Sequence, residues 1–272
     1  MSRAAGASSA RTAARIAGYE ARDVARGRWI VVYALLLLGV AQALVMLEAD
    51  VVRAAAGLVN AALLVTPLVG LLFGALYMYG ARDFNRLLLA QPVGRRELFG
   101  GLYAGVALPL VGAELLGLGL PLGIAALRQG AGFESVARLL LVVVALTLVS
   151  VALAFLVAVT IRDRAAGMGV AVLLWLGLTV FYDGLFASAA VALPDVLLEK
   201  PALALTLLNP VDTARILLLM EFDAAALLGY TGAVFRGFFG GATGIAVASG
   251  VLVGWIVLPL LAARRAFERA DL

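Results

Sequence analysis

Six long apolar runs, each near the ~20 residues a helix needs to cross the hydrocarbon core of a bilayer, dominate this chain and restrict its fold to membrane-spanning helices. They lie near Trp29–Leu47, Gly57–Tyr79, Leu98–Leu127, Arg138–Ile161, Gly167–Ala190 and Thr243–Ala263. The 272 residues are 64% hydrophobic and 14% charged, where a soluble domain carries roughly 25% charged residues. The expected class is therefore all-α, a polytopic membrane protein of six spans. Ala41-Gln42-Ala43 in the first run resembles a signal-peptide cleavage site. That run is too long, and its leader too extended, for a cleaved signal, so an uncleaved anchor is expected.

Composition also removes whole classes of function. The chain has neither cysteine nor histidine, which excludes a disulfide framework and the usual thiolate or imidazole metal ligands, so no metal site is expected. No nucleophile, base and stabiliser can be assembled from what remains, and no catalytic residue is expected. Lys200, in Glu199-Lys200-Pro201, is the single lysine, so a phosphate-binding loop of the G-x-x-x-x-G-K-S/T kind is impossible. Nucleotide hydrolysis must come from another chain. The pI of about 9.8 does not indicate nucleic acid, because the arginines flank apolar runs without interleaved aromatics.

Those arginines set orientation instead. Arg3, Arg11, Arg15, Arg22, Arg26 and Arg28 precede the first run, and Arg82, Arg86, Arg95 and Arg96 separate the second from the third. Arg162 and Arg164 separate the fourth from the fifth, and Arg264, Arg265 and Arg269 follow the sixth. Fifteen of the 21 basic residues thus fall on one side. By the positive-inside rule, both termini are expected in the cytoplasm of a multi-pass inner-membrane protein. The expected organisation is a cytoplasmic N-terminal elbow at 1–28, a six-span domain at 29–263 and a cytoplasmic tail at 264–272. Arg11, Arg15, Arg22 and Arg26 make one basic stripe on the elbow, suited to anionic headgroups and opposite a mostly alanine face.

The exterior is short except between the fifth and sixth runs, at 191–242. Pro194, Pro201 and Pro210 divide this segment, and Asn209-Pro210-Val211-Asp212-Thr213 reads as a turn feeding a helix. Two short interfacial or re-entrant helices are expected there. A seventh span near Ala202–Met220 competes, but Asn209-Pro210 and Asp212 interrupt it.

Between the second and third runs, the loop at 80–97 is a basic, amphipathic island. Asp83 is placed to cap a short helix, with Phe84, Leu87 and Leu88 on one face until Pro92 stops it. An apolar knob with a basic rim suits a docking helix, and resting on lipid headgroups is its bland alternative.

Leu87-Leu88-Leu89-Ala90-Gln91-Pro92-Val93-x-Arg95-Arg96-Glu97-Leu98 resembles the coupling loop of ABC-2 type permeases, and Tyr19-Glu20-Ala21-Arg22-Asp23-x5-Trp29 is similar to their elbow. Leu208-Asn209-Pro210-Val211-Asp212-Thr213-Ala214-Arg215-Ile216-Leu217, with Gly229-Tyr230-Thr231-Gly232, resembles the exterior segment of NosY-type permeases of nitrous oxide reductase maturation. The chain departs from many relatives where Arg82-Asp83-Phe84-Asn85-Arg86 replaces an acidic-Gly-Thr element. The resemblance implies a homodimer paired with a cytoplasmic ABC ATPase that binds the ATP, the permease itself holding no cofactor. It implies ATPase coupling through Asp83, Phe84, Leu87, Leu88, Gln91, Pro92, Arg95 and Arg96. A periplasmic β-helical partner is implied at Asn209, Pro210, Asp212 and Arg215. Export of a lipid or other amphiphile, and an ATPase-independent assembly factor, are the alternatives.

Two acids fall within apolar runs. Glu114, near the middle of the third, sits where a charge costs roughly 2.5–3.5 kcal/mol; it is a candidate polar site or gate, or else is protonated or paired with a hydroxyl or backbone group inside the bundle without a transport role. Asp183, beside Tyr182, lies toward the outer part of the fifth and suits an interfacial anchor. Gly70 with Gly74, Gly119 with Gly123 and Gly240 with Gly244 have the spacing that lets helices approach closely, within the bundle rather than at a dimer seam.

Overall fold

The computed structural model describes residues 2–81, 94–182, 205–222 and 241–269, with side chains from residue 13 onward except at 221. The described residues form helices and no strand. The elbow is α1 (Ser2–Ala25), and six helices are long and apolar enough to cross a membrane. These are α2 (Arg28–Leu47), α3 (Val51–Gly80), α4 (Arg95–Gln129), α5 (Phe133–Thr160), α6 (Arg164–Phe181) and α8 (Ala242–Arg269). The short α7 (Pro210–Glu221) lies between the last two.

Where the helices start is decided by polar caps that hydropathy overlooks. Asp50 accepts a hydrogen bond from Val52 N at 2.9 Å, so α3 begins at Val51 rather than near Gly57. Asp163 accepts from Ala166 N at 2.7 Å and starts α6 at Arg164. Gly167 is confined by its neighbour, since a Cβ there would lie 1.6 Å from the Tyr79 hydroxyl that donates to Ile161 O.

The best-buried span is α5, and α3 lies directly upon it. A Cβ on Gly70 would stand 2.7 Å from Ser150 Cβ, and one on Gly74 equally close to Ala154 Cβ. This is the close backbone approach that small residues permit where lipid offers no hydrophobic drive to pack. The Gly70 and Gly74 pair therefore serves the inside of the bundle. Tyr103 donates to Leu148 O at 2.9 Å, tying α4 to α5, and Trp175 donates to Leu64 O at 3.0 Å, tying α6 to α3.

Helix lengths reveal a foot at the arginine-rich end. At 1.5 Å per residue α2 is about 30 Å long, enough to span the hydrocarbon, while α3, α5 and α8 are about 42–45 Å and α4 about 52 Å. Tyr33 of α2, Thr147 of α5 and Glu114 of α4 are level, because both hydroxyls donate to the Glu114 carboxylate. From that level α2 runs only about 8 Å toward the arginine-rich end, whereas α5 runs about 20 Å and α4 about 28 Å. All three run about 21–22 Å the other way. The surplus lies entirely at the arginine-rich end.

The elbow packs along this foot instead of presenting its alanine face to lipid. Gly101 and Gly105 of α4 form the seat: a Cβ on Gly101 would meet Ile16 Cγ2 at 2.6 Å, and one on Gly105 would meet Glu20 Cβ at 2.4 Å. Glu20 is buried there and accepts a hydrogen bond from Tyr77 of α3.

Gly74→Ala should lower stability by about 1–3 kcal/mol, since its methyl meets a side chain that cannot rotate away. Gly112→Ala, with open space around it, should leave the melting temperature in detergent unchanged or slightly raised. Thermal unfolding of the two variants checks this.

Candidate functional site

The polar junction inside the bundle is built from four helices. Glu114 is 1% exposed, and its Oε1 accepts from Tyr33 Oη at 2.9 Å and from Thr147 Oγ1. Thr66 of α3 stands beside the Tyr33 hydroxyl. Its own Oγ1 and Glu114 Oε2 are the buried side-chain polar atoms, among the described residues, that lack a hydrogen bond. Immediately after Glu114, α4 widens into a π-helical turn at Leu115–Gly119. There α2 comes so close that a Cβ on Gly117 would lie 2.6 Å from Leu37 Cβ. Glu114 is central in its own helix, as its sequence position suggests, yet only about 8 Å from the start of α2. Along α2 alone, its level falls in the half nearer the arginine-rich end.

The second cluster closes the foot. Arg96 Nε and Arg264 Nε meet Glu268 Oε1 at 3.0 and 2.9 Å, and Arg95 Nη1 donates to the Glu268 carbonyl at 3.0 Å. Beneath this lies an aromatic cluster. Phe99 of α4 packs against Phe155 of α5 at 5.8 Å between ring centroids and against Phe267 of α8 at 5.5 Å, all three buried. Arg95 and Arg96 therefore have partners within their own chain.

The third cluster lies on the far side of Glu114 from the foot, partway along α8. Asn209 caps α7 by accepting from Val211 N at 2.9 Å, while its Nδ2 donates to Leu178 O of α6 at 2.8 Å and to Asp212 Oδ2 at 3.0 Å. Pro210 takes the first helical position, where its missing N–H is no loss. Arg215 Nη1 meets Asp212 Oδ1 at 3.0 Å, and Trp255 Nε1 donates to Leu207 O at 3.4 Å from within α8. Val211, Ala214 and Leu218 are buried in the core. The described part of the segment, 205–222, thus packs between α6 and α8 with its turn at Asn209-Pro210. At 12 residues, about 18 Å, α7 is too short for a seventh span.

Asn209, Pro210 and Asp212, read from sequence as contacts for a partner, are engaged within their own chain. All three are buried, and the polar groups of Asn209 and Asp212 are consumed in capping and anchoring. Arg215 alone of that set is partly exposed.

The sequence profile described as ABC-2 family transporter protein matches residues 14–272. The chain belongs to this family. No curated protein matches it. As an ABC-2 membrane permease component it has no ATPase site of its own, and permeases of this family pair with an ATPase subunit. Of the ABC-2 coupling residues read from sequence, Arg95 and Arg96 come together at Glu268. Asp83, Phe84, Leu87, Leu88, Gln91 and Pro92 lie outside the described residues, as does Asp183. Sequence reading missed Tyr33, Thr66, Thr147 and Glu268. Two signals were present: a threonine just before Pro67 in an apolar run, and an acid set among Arg264, Arg265 and Arg269.

Glu114→Gln keeps a carbonyl oxygen for the two hydroxyls, and its melting temperature should stay near that of the parent. Glu114→Ala leaves both hydroxyls buried and unpaired and should cost about 1–3 kcal/mol. Thermal unfolding of both variants in one detergent separates lost hydrogen bonding from lost charge.

Proposed function

We propose that this permease receives a mechanical input from its ATPase subunit at the arginine-rich end and delivers it across the membrane, for maturation of the nitrous oxide reductase copper site. In this reading both termini are cytoplasmic, two copies pair with two ATPase subunits, and the segment at 82–93 docks on the ATPase through Phe84, Leu87 and Leu88. Asp83 caps that docking helix, Gln91 and Pro92 close it, and Arg95 and Arg96 border it.

The observation that carries the proposal is the foot. Ala81 and Gly94, which flank the docking segment, both belong to helices that extend past the start of α2, the side on which the arginines concentrate. A soluble ATPase would meet the protein there. The output falls to the far side of Glu114 from the foot, where α7 is held between α6 and α8 and touches α3 and α5. A shift among these helices would move the surface around the partly exposed Arg215, where a periplasmic β-helical partner would dock. The maturation role rests on the resemblance of the 208–217 segment to NosY-type permeases.

Replacing Phe84 and Leu87 by Asp should abolish co-purification with the ATPase subunit. An intact complex whose ATPase is still stimulated by the permease would sink the coupling reading. Deleting the permease gene should yield reductase without its full copper complement. Fully loaded reductase from such cells would remove the maturation role and leave export of an amphiphile.

A further inference from the structure

We infer that Glu268 is a positioning residue that joins the exit of the docking segment to the end of the sixth span, so that an input at 82–93 reaches α8 together with α4. The inference rests on the coupling reading above.

Residues 95 and 96 open α4 directly after Gly94, and both arginines meet Glu268, one through its carboxylate and the other through its main-chain carbonyl. The two kinds of acceptor fix different things. The carbonyl lies near the C-terminus of α8, where a guanidinium satisfies an oxygen that the helix leaves unpaired. The carboxylate is shared between Arg96 of α4 and Arg264 of α8, which holds it in place from its own helix. Arg96 is 72% exposed and Glu268 25% exposed, so a pair of this kind adds little to folding stability. Stiffness comes from Phe99, Phe155 and Phe267 beneath, which make the feet of α4, α5 and α8 one packed unit. Above them the ionic contacts fix the register of α4 against α8. At its other end the docking segment leaves α3, whose last turns are tied to the elbow through Tyr77 and Glu20. Both flanks therefore meet the elbow, and the α4 flank reaches the sixth span through Phe99 and Phe267 and, above them, through Glu268.

The test uses the purified permease–ATPase complex and reads permease-dependent stimulation of ATP hydrolysis. Glu268→Ala should reduce stimulation about two- to five-fold, the range that an exposed ion pair sets. Glu268→Gln should do the same to a smaller degree, with KM for ATP, subunit stoichiometry and melting temperature unchanged. Arg96→Ala should fall by the same factor, and the Arg96→Ala/Glu268→Ala double variant no further, because the two act through one contact. Arg264→Ala, which leaves the Arg96 contact but removes the pair that steadies the carboxylate within α8, should lose less stimulation than Glu268→Ala. Full stimulation in Glu268→Ala overturns the inference. So does a double variant that falls by the product of the single effects, and so does loss of the ATPase from Glu268→Ala, which would make the residue an assembly contact. Failure of the coupling reading is seen separately, in a Phe84/Leu87 variant that keeps its ATPase.

Discussion

The missing side chains at Gly70 and Gly74 allow α3 to lie against α5 with their backbones nearly touching, and the rest of the bundle is arranged around that pair. Lipid gives no hydrophobic reason for helices to associate, so the association depends on how closely atoms interlock. With α3 seated this way, α5 becomes the post. The foot of α8 reaches it through Phe267 and Phe99, α4 is tied to it by Tyr103, and α7 rests on it through buried Val211, Ala214 and Leu218.

Polar groups mark the places where this packing is interrupted. Glu114 lies beside a π-helical turn, Asn209 at the turn that feeds α7, and Glu268 where two helix ends meet. Each is joined to helices other than its own. Apolar packing thus supplies bulk cohesion, while a few directional contacts select which helices stand together. This division suits a protein that has to keep its helices associated while shifting some of them. A hydrogen bond to a buried carboxylate is either made or lost, which sets discrete arrangements of the helices it joins.

The spans could be read from the chain because twenty apolar residues carry their own evidence in a solvent that admits only helices with satisfied backbones. The turn that feeds α7 was legible for a related reason. Asn-Pro followed by Asp is local chemistry: a side-chain cap, a residue without an N–H, and an acid in the first turn. What that local signal could not convey was the direction in which its groups face: Asn209 bonds to Leu178 of α6, and both Asn209 and Asp212 serve the start of α7. Glu114 stood out because a carboxylate in an apolar run is costly. Its partners Tyr33 and Thr147 did not, because a tyrosine or threonine in a membrane helix is common and their convergence depends on three helices meeting at one level.

By itself, therefore, the sequence determined that the chain carries six runs long and apolar enough to cross a membrane, has no nucleotide-binding lysine loop and groups most of its arginines in alternate connections. These are properties of solvent transfer and residue chemistry, which act on each segment independently. Only the tertiary structure decided that the surplus length of α4 and α5 forms a foot, that the elbow packs on it, and that Glu268 joins Arg96 across 172 positions of chain. Those features depend on vertical register between helices, set by glycine seats and convergent hydrogen bonds that no single segment encodes.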